Sequence, residues 1–570
     1  MAPLSLTKAI PFVLGLLLAV DTFSTGVDAL QSPSAQAVNT WLRANPPPPS
    51  LMSSHDSTPK GLLKEVSSFR SPRPQPEQQV LMTPAYPEFP ELYFEQPIDH
   101  WAPATKNAAP EIEDLETEAN PGMFGQRYWV NARHWKNDGG GPVIVIDGGE
   151  GNAELSLPIL DTGIGDILAD ATGGLAIMLE HRYYGKSVPT SDFTTDSLRW
   201  LNNAQALEDS ARFIRSFKWN GVDLSAPGTK WIYYGGSYPG ARAAHMRVLY
   251  PHLVHGAIAS SAVTHATVDY WEYHDHIRLT ASPTCVANIE SAISHIDNLL
   301  SVPQSNPTIK ALFGLGQLSD EDFGSVLALP LQYVQKGDWN VAPGTSLWER
   351  FCATLGSGNS VRSATRLMRE SAVVLNYAQW VQNEIIKPCG FTVEQCFGTN
   401  DDTKYQKTDL NATWRLWSWQ TCNEWGYFAG APPDPKHPTL VSRRVTLEYN
   451  LRLCKKSFPP GQFAKVPPMP NVTAVNVLGD FQLSRPRLAF IDGTNDPWSQ
   501  ATPHSRYAPV RADTISQPFK WIPAGVHHSD STGLKNHTLE PEQIKRIHED
   551  EITFVKAWLK EDGDPRPPSL

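Results

Sequence analysis

The chain has 570 residues, 41% hydrophobic and 10% aromatic, enough to bury a large core and long enough for two or more domains. Its formal net charge of −11 speaks against nucleic acid and against an anionic membrane surface as partners.

At the N-terminus, Lys8 precedes the apolar run Ala9–Val20, and Val27-Asp28-Ala29 offers small residues of the kind a signal peptidase reads. Pro11 interrupts the run, which falls short of the roughly 20 residues a membrane span needs, so residues 1–29 are predicted to be a signal peptide. Residues 30–85, with "NPPPPS" and "SPRPQPEQQ", have little to bury and read as a Pro-rich linker or pro-region.

Folded character begins with "YFEQPIDHW" and "FGQRYWVNARHW", aromatic alternating stretches expected as antiparallel strands at a sheet edge. In "GPVIVIDGGEGNAE" the continuous run Val143–Ile146 predicts a strand covered on both faces, ending in the glycine-rich loop Gly148–Asn152. A second such run lies in "GLAIMLEHRYYGKSVP". The spacing of Leu201, Ala204, Leu207, Ala211 and Ile214 predicts a helix. A strand at Trp231–Tyr234, a turn at Ser237, another helix and the strand-like "HGAIASSAV" follow. Strand and helix alternate as a doubly wound α/β sheet requires.

This first α/β part spans residues 86–264. Residues 265–474 are predicted to be a mainly helical insertion, and α/β character resumes over 475–570 with "RPRLAFIDGTNDPWS", "FKWIPAGVHHSD" and an amphipathic closing helix. All six cysteines fall in the insertion: Cys285, Cys352, Cys389, Cys396, Cys422 and Cys454. An even number in an exported chain predicts three disulfides, with fifteen pairings open. The absence of a C-x-x-C pair speaks against structural zinc. Asn411, Asn471 and Asn536 begin glycosylation sequons, whereas Asn306-Pro-Thr308 fails the rule.

The chemistry centres on "YYGGSYPGA". A serine hydroxyl becomes a nucleophile when a base takes its proton and a sharp strand-to-helix turn presents it, and small residues around Ser237 permit that turn. Pro239 stands where a G-x-S-x-G pattern has its second glycine. It removes one N–H, but not that of Tyr238, the expected oxyanion donor, and proline fits the first turn of a helix. It also biases Tyr238 away from helical geometry. The second donor is expected from the glycine-rich loop, at Gly149 or Glu150.

Triads of this type run Ser, acid, His along the chain. "IDGTNDPWS" offers Asp492 and Asp496, and "IPAGVHHSD" offers His527 and His528, each after a predicted strand, where active groups in open α/β sheets collect. His527 would accept the Ser237 proton and later protonate the leaving amine; Asp496, with Asp492 as alternative, would fix its tautomer. No metal and no cofactor are expected. The tryptophans between 414 and 425 read as core of the insertion, some of them walling the site.

Taken together, "YFEQPIDHW", "QRYWVN", "GGEGNA", "EHRYYGKSVP", "YYGGSYPGA", "WSWQTCNEWGYF", "DGTNDPWS" and "AGVHHSD" resemble, in order, the S28 serine peptidases, the family of lysosomal prolylcarboxypeptidase, dipeptidyl peptidase II and fungal secreted prolyl peptidases. The resemblance implies an α/β-hydrolase domain with a helical cap, hydrolysis after proline, Ser237 as nucleophile, Asp496 as acid and His527 as base. It implies that Trp498 lines an apolar pocket for the proline ring. It implies a Cys422–Cys454 bridge, and leaves Cys285–Cys352 and Cys389–Cys396 as the expected remaining pairs. Two departures are Pro239 and the "DG" at Asp492-Gly493, where the family has "NG".

The expectation is therefore a secreted serine peptidase, extracellular or in an acidic vacuolar or lysosomal lumen. Proline-containing peptides or proteins are its expected substrates, nucleic acid and membrane are not expected partners, and a homodimer is left open. The alternatives are an α/β-hydrolase acting on esters or lipids, and a catalytically silent secreted binding protein. Whether cleavage is at chain ends or internal is not legible.

Overall fold

Eight strands make one sheet: β1 (Leu92–Pro97), β2 (Met123–Asn131), β3 (Val143–Asp147), β4 (Leu175–Leu179), β5 (Trp231–Gly236), β6 (Gly256–Ser260), β7 (Leu488–Gly493) and β8 (Phe519–Ile522). Their order is β1-β2-β4-β3-β5-β6-β7-β8. This computed structural model describes residues 86–102, 121–136, 140–357 and 366–562; the predicted signal peptide and the Pro-rich segment lie outside the described residues. The helices used below are α1 (Ile164–Thr172), α2 (Asn203–Ser216), α3 (Tyr238–Leu249), α4 (Glu272–Thr280), α5 (Pro283–Leu300), α6 (Leu347–Gly356), α7 (Arg366–Trp380), α8 (Trp414–Gln420), α9 (Leu447–Ser457) and α10 (Glu542–Trp558).

β1 pairs antiparallel with β2, and β2 antiparallel with β4, so the two aromatic stretches form the antiparallel edge. From β4 to β8 every pairing is parallel. Parallel strands need covered faces, and β3 and β4 are buried along their whole length. Alternate residues serve opposite layers: Val143 and Val145 pack with Phe213 and Ile214 of α2, while Ile144 and Ile146 pack with Leu168 of α1 and Trp558 of α10. A mostly parallel sheet of this order, with an antiparallel edge and helices on both faces, is the α/β-hydrolase fold.

α2 differs from its predicted extent. The Asn202 side chain accepts the Gln205 N–H and starts the helix at Asn203, so Leu201 precedes it and Ala204 is exposed. Asp209 and Ser210 join Leu207, Ala211 and Ile214 on its buried side, because Arg182 and Tyr233 meet them there.

Between β6 and β7 runs the helical insertion, with α4 to α9 and one short parallel strand pair, Thr267–Asp269 with Gly426–Phe428. Its hydrophobic core is continuous with Tyr238 and Ala241 of α3, so the insertion packs onto the start of that helix. Three disulfides staple it: Cys285–Cys352 joins α5 to α6, Cys389–Cys396 closes a tight loop, and Cys422–Cys454 joins the turn after α8 to α9. Among the described residues no helix is long and apolar enough to cross a membrane. Asn411, Asn471 and Asn536 are all exposed.

Candidate active site

β5 ends at Gly236 and α3 begins at Tyr238, leaving Ser237 alone to reverse the chain. It does so at φ 72° and ψ −129°, a conformation rare for a residue with a side chain. The Ser237 N–H donates to Ser260 O of the neighbouring strand (2.9 Å), and Ala241 N–H donates back to Ser237 O (3.1 Å). So tight a turn brings α3 onto its own strand, and any Cβ at Gly235 would overlap the Pro239 carbonyl. Pro239 occupies the first turn of α3, where an amide has no intrahelical partner to lose. Tyr238 is helical despite preceding a proline: buried contacts override the local bias.

Those contacts fix the Tyr238 ring from two sides. Its hydroxyl lies 2.9 Å from His181 Nε2, and His181 Nδ1 lies 2.7 Å from Arg182 O. A carbonyl only accepts, so Nδ1 carries the hydrogen and the tyrosine donates to Nε2. Trp417 and Trp425 of the insertion pack on the other side, at centroid distances of 5.4 and 5.0 Å. Two of the insertion's tryptophans thus reach the elbow, while Trp414 and Trp419 stay in its interior beside Tyr405 and Phe458.

Ser237 Oγ lies 2.7 Å from His527 Nε2, and His527 Nδ1 lies 2.9 Å from Asp496 Oδ2 and 3.1 Å from Oδ1. These groups leave the carboxyl ends of β5, β7 and β8, which lie within four adjacent strands of the sheet. Burial works to raise Asp496, but the charge and hydrogen bond of His527, the Trp498 N–H and Ser261 outweigh it and hold the carboxyl below its ordinary value. An ionised Asp496 favours the Nδ1–H tautomer, leaving Nε2 to accept the serine proton.

Asp492 and His528 are placed elsewhere. Asp492 Oδ2 pairs with His504 Nδ1 at 2.6 Å. The His528 N–H donates to Ser261 Oγ at 2.8 Å and its Nδ1 lies 3.1 Å from Ser531 Oγ; desolvation, helped by the neighbouring His527, lowers it to about 3.

Across from Ser237, the loop after β3 turns at Gly149 with φ 65°. A Cβ there would stand 2.5 Å from Pro239 Cγ, so this loop rests directly on the proline of the elbow. The Gly149 N–H donates to Asp147 Oδ1 at 3.1 Å. That corrects part of the expectation: the amide is committed to the end of β3 because Asp147, also bonded to Tyr233 and Arg242, holds the turn from below. Arg127 fastens the far side, donating to Asn152 Oδ1 (2.6 Å) and to both oxygens of the buried Glu180, which also accepts the Ala153 N–H.

Trp498 follows Asp496 by two residues and stands half-buried beside His527, ring centroids 6.0 Å apart. Tyr270 stacks on it at 5.4 Å, Tyr273 and Tyr427 meet it edge-on at 5.3 and 5.4 Å, and its Nε1 donates to Gln335 Oε1 at 2.9 Å. The sequence pointed to none of these four partners. Tyr270 and Tyr273 come from either side of the start of α4, and Gln335 and Tyr427 from two other segments of the insertion, so no single spacing links them.

The model of the serine carboxypeptidase S28 family matches residues 114–545. A probable extracellular serine carboxypeptidase of Arthroderma benhamiae is 36% identical over 504 residues, 83% of this chain and 68% of that protein. The serine protease vicPb of Bipolaris victoriae is 28% identical over 475 residues, covering 78% and 87% of the two chains. Among solved structures, an acetylester hydrolase from Corynebacterium glutamicum aligns with 81% of this chain and 96% of its own at a TM-score of 0.32 and 12% identity. The family match runs from ahead of β2, through the sheet and the whole insertion, to the start of α10, and on it the chain belongs to the S28 serine peptidases.

Proposed function

We propose that this chain is a secreted peptidase that hydrolyses peptide bonds on the C-terminal side of proline through a Ser237–His527–Asp496 triad. The observation that carries the reading is the unbroken relay from Ser237 Oγ to His527 (2.7 Å) and from His527 to Asp496 (2.9 Å), with the serine in a strained elbow. In this reading Ser237 Oγ attacks the scissile carbonyl as its proton passes to His527 Nε2. The oxyanion is met by the N–H groups of Tyr238 and Glu150. Asp496 stabilises the imidazolium, which then protonates the leaving amine, and water repeats the sequence on the acyl-enzyme.

The preference for proline is supported by the walls of the site. Trp498 with Tyr270, Tyr273 and Tyr427 offers flat apolar surface beside His527, which suits a pyrrolidine ring and gives a charged side chain no partner. Secretion is supported by three disulfides, which persist in oxidising compartments, by the exposed sequons, and by the name of the extracellular relative. On this reading residues 1–29 are removed as a signal peptide and residues 265–474 form a cap over the site.

Digestion of one long peptide with prolines at internal and near-terminal positions, followed by mass spectrometry, tests both preference and mode. New C-termini at proline are expected, together with fluorophosphonate labelling that Ser237→Ala abolishes. Turnover of p-nitrophenyl esters with the peptide left intact would overturn the reading in favour of an esterase.

A further inference from the structure

β8 closes at Ile522, and the chain runs on to His527 without regular structure to hold it. In that turn Ala524 and His528 take φ 57° and 39°, left-handed values that persist only where surrounding contacts enforce them. On the sheet side Ser261 Oγ accepts the His528 N–H. On the outer side the contacts come from the helical insertion. We propose that Asp338 of the insertion is a positioning residue for His527, holding its turn through Ser529 so that Nε2 stays within reach of Ser237 Oγ. The inference rests on the proposed reading of His527 as the base.

Ser529 closes the turn. Its Oγ accepts the Val526 N–H at 3.0 Å, which ties the residue before His527 to the residue two beyond it. The hydroxyl is wholly buried and has one hydrogen to give. Its shorter acceptor contact is Asp338 Oδ1 at 2.7 Å, the other being Val526 O at 3.3 Å. Trp339 adds a second grip, donating from its ring Nε1 to the Ser529 carbonyl at 2.9 Å. The Trp339 backbone N–H donates to the same Asp338 Oδ1 at 2.8 Å and fixes the carboxyl in place.

The segment that bears Asp338 is itself anchored beside the site. Gln335 Oε1 accepts from Trp498 Nε1 at 2.9 Å and from the Tyr273 hydroxyl at 2.8 Å. One short stretch of the insertion therefore holds both the aromatic wall around Trp498 and the turn that carries His527. Asp338 and Ser529 stand 191 residues apart along the chain, so only the fold keeps them in register.

The effect of such a grip is on the chemical step. Proton transfer asks for heavy atoms about 2.6–3.2 Å apart, and Ser237 Oγ to His527 Nε2 is 2.7 Å. Moving the turn by about an ångström takes the pair out of range, a change that costs about 100-fold in rate. Asp338 reaches His527 only through Ser529. Its role needs an acceptor and not a charge: Oδ1 alone takes both hydrogens, and the carbonyl of an asparagine can take the same two.

The test compares Asp338→Ala, Asp338→Asn and Ser529→Ala in the full secreted chain by peptide kinetics, the rate of fluorophosphonate labelling and thermal melting. Asp338→Ala is expected to lower kcat and the labelling rate together by about 10–100-fold, with KM within about twofold. Ser529→Ala removes the same bond by a smaller change and should show the same split, and the double variant should lose little more than either single one. Asp338→Asn should keep most of both rates. A folded Asp338→Ala or Ser529→Ala that labels and turns over like wild type, with only its melting point lowered, would overturn the proposal. So would an Asp338→Asn as impaired as the alanine, because the charge and not the acceptor would then be at work. A wild type that does not label refutes the triad reading, whereas one that labels no faster than Asp338→Ala refutes this inference alone.

Discussion

Two carboxylates stand four residues apart at the carboxyl end of β7, Asp492 within the strand and Asp496 just beyond it, and their surroundings give them different properties. Asp496 is ionised against His527. Burial drives Asp492 well above the ordinary carboxylate range, with the Asp496 charge adding to it, and its partner is His504. Asp496→Asn is expected to lower kcat by about 10⁴-fold with little change in KM, because the wrong histidine tautomer faces the serine. Asp492→Asn should leave kcat within about tenfold and act on stability instead, by loosening a buried hydrogen bond worth ~1–3 kcal/mol. Parallel kinetics and melting of the two variants check the pair. Tyr238→Phe removes the hydrogen bond that fixes the residue proposed to supply the oxyanion N–H and leaves His181 Nε2 without its donor. A stability loss of about 1–3 kcal/mol and a fall in kcat at unchanged KM are expected.

At the scale of elements, the elbow and the loop after β3 are one packed unit. Gly149→Ala meets both a left-handed backbone and Pro239 Cγ, so a fall in kcat of at least about tenfold is expected. Combining it with Pro239→Ala removes the collision but not the backbone strain, and should restore part of the loss; a double variant no better than Gly149→Ala would show that strain alone matters. The Cys422–Cys454 bridge ties the turn before Trp425 to α9 across 32 residues. Loop-closure entropy puts its contribution at about 3–4 kcal/mol, so replacing both cysteines by alanine should lower the melting point and loosen the wall behind Tyr238.

Across the whole molecule, buried carboxyls and buried imidazoles set opposing limits on pH. Glu551, fully buried with no hydrogen-bond partner among the described residues, keeps its proton well above the ordinary value: burial opposes ionisation, and the charges of Asp530 and Asp550 add to it. Desolvation likewise raises Glu424 to about 7 and Asp297 and Asp338 to about 6. The unfolded chain releases these protons from about pH 4 upward, so stability falls as pH rises from there through the folded values. Histidines act in the other direction. Burial lowers His245 and His504 to about 3 and His274 to about 4, whereas unfolded rings take up protons below about pH 6.5, so stability also falls on acidification. The two slopes oppose each other at mildly acid pH, and the melting point is expected to be highest between about pH 5 and 6.5. Glu551→Gln should raise stability by at least about 1 kcal/mol near pH 8 and change little near pH 4.5. Equal effects at both pH values would show that Glu551 is ionised in the fold.

The sequence by itself determined the fold class and named the groups proposed to carry the chemistry. Apolar runs of period two or of no period, punctuated by glycine, mark buried parallel strands wherever they occur, and Ser237, Asp496 and His527 each follow such a run. Glycines around Ser237 are legible as an elbow because the close approach they permit is local to a few residues. Tertiary structure alone decided which carboxylate meets which histidine, that the Gly149 amide turns to Asp147, and that Tyr270, Tyr273 and Tyr427 gather around Trp498. Those choices depend on how side chains from different elements pack around each group, which no spacing along the chain records. The same holds for the start of α2, where one asparagine side chain moved the boundary, and for Asp338 of the insertion, whose partner Ser529 lies on a loop it meets only in the fold.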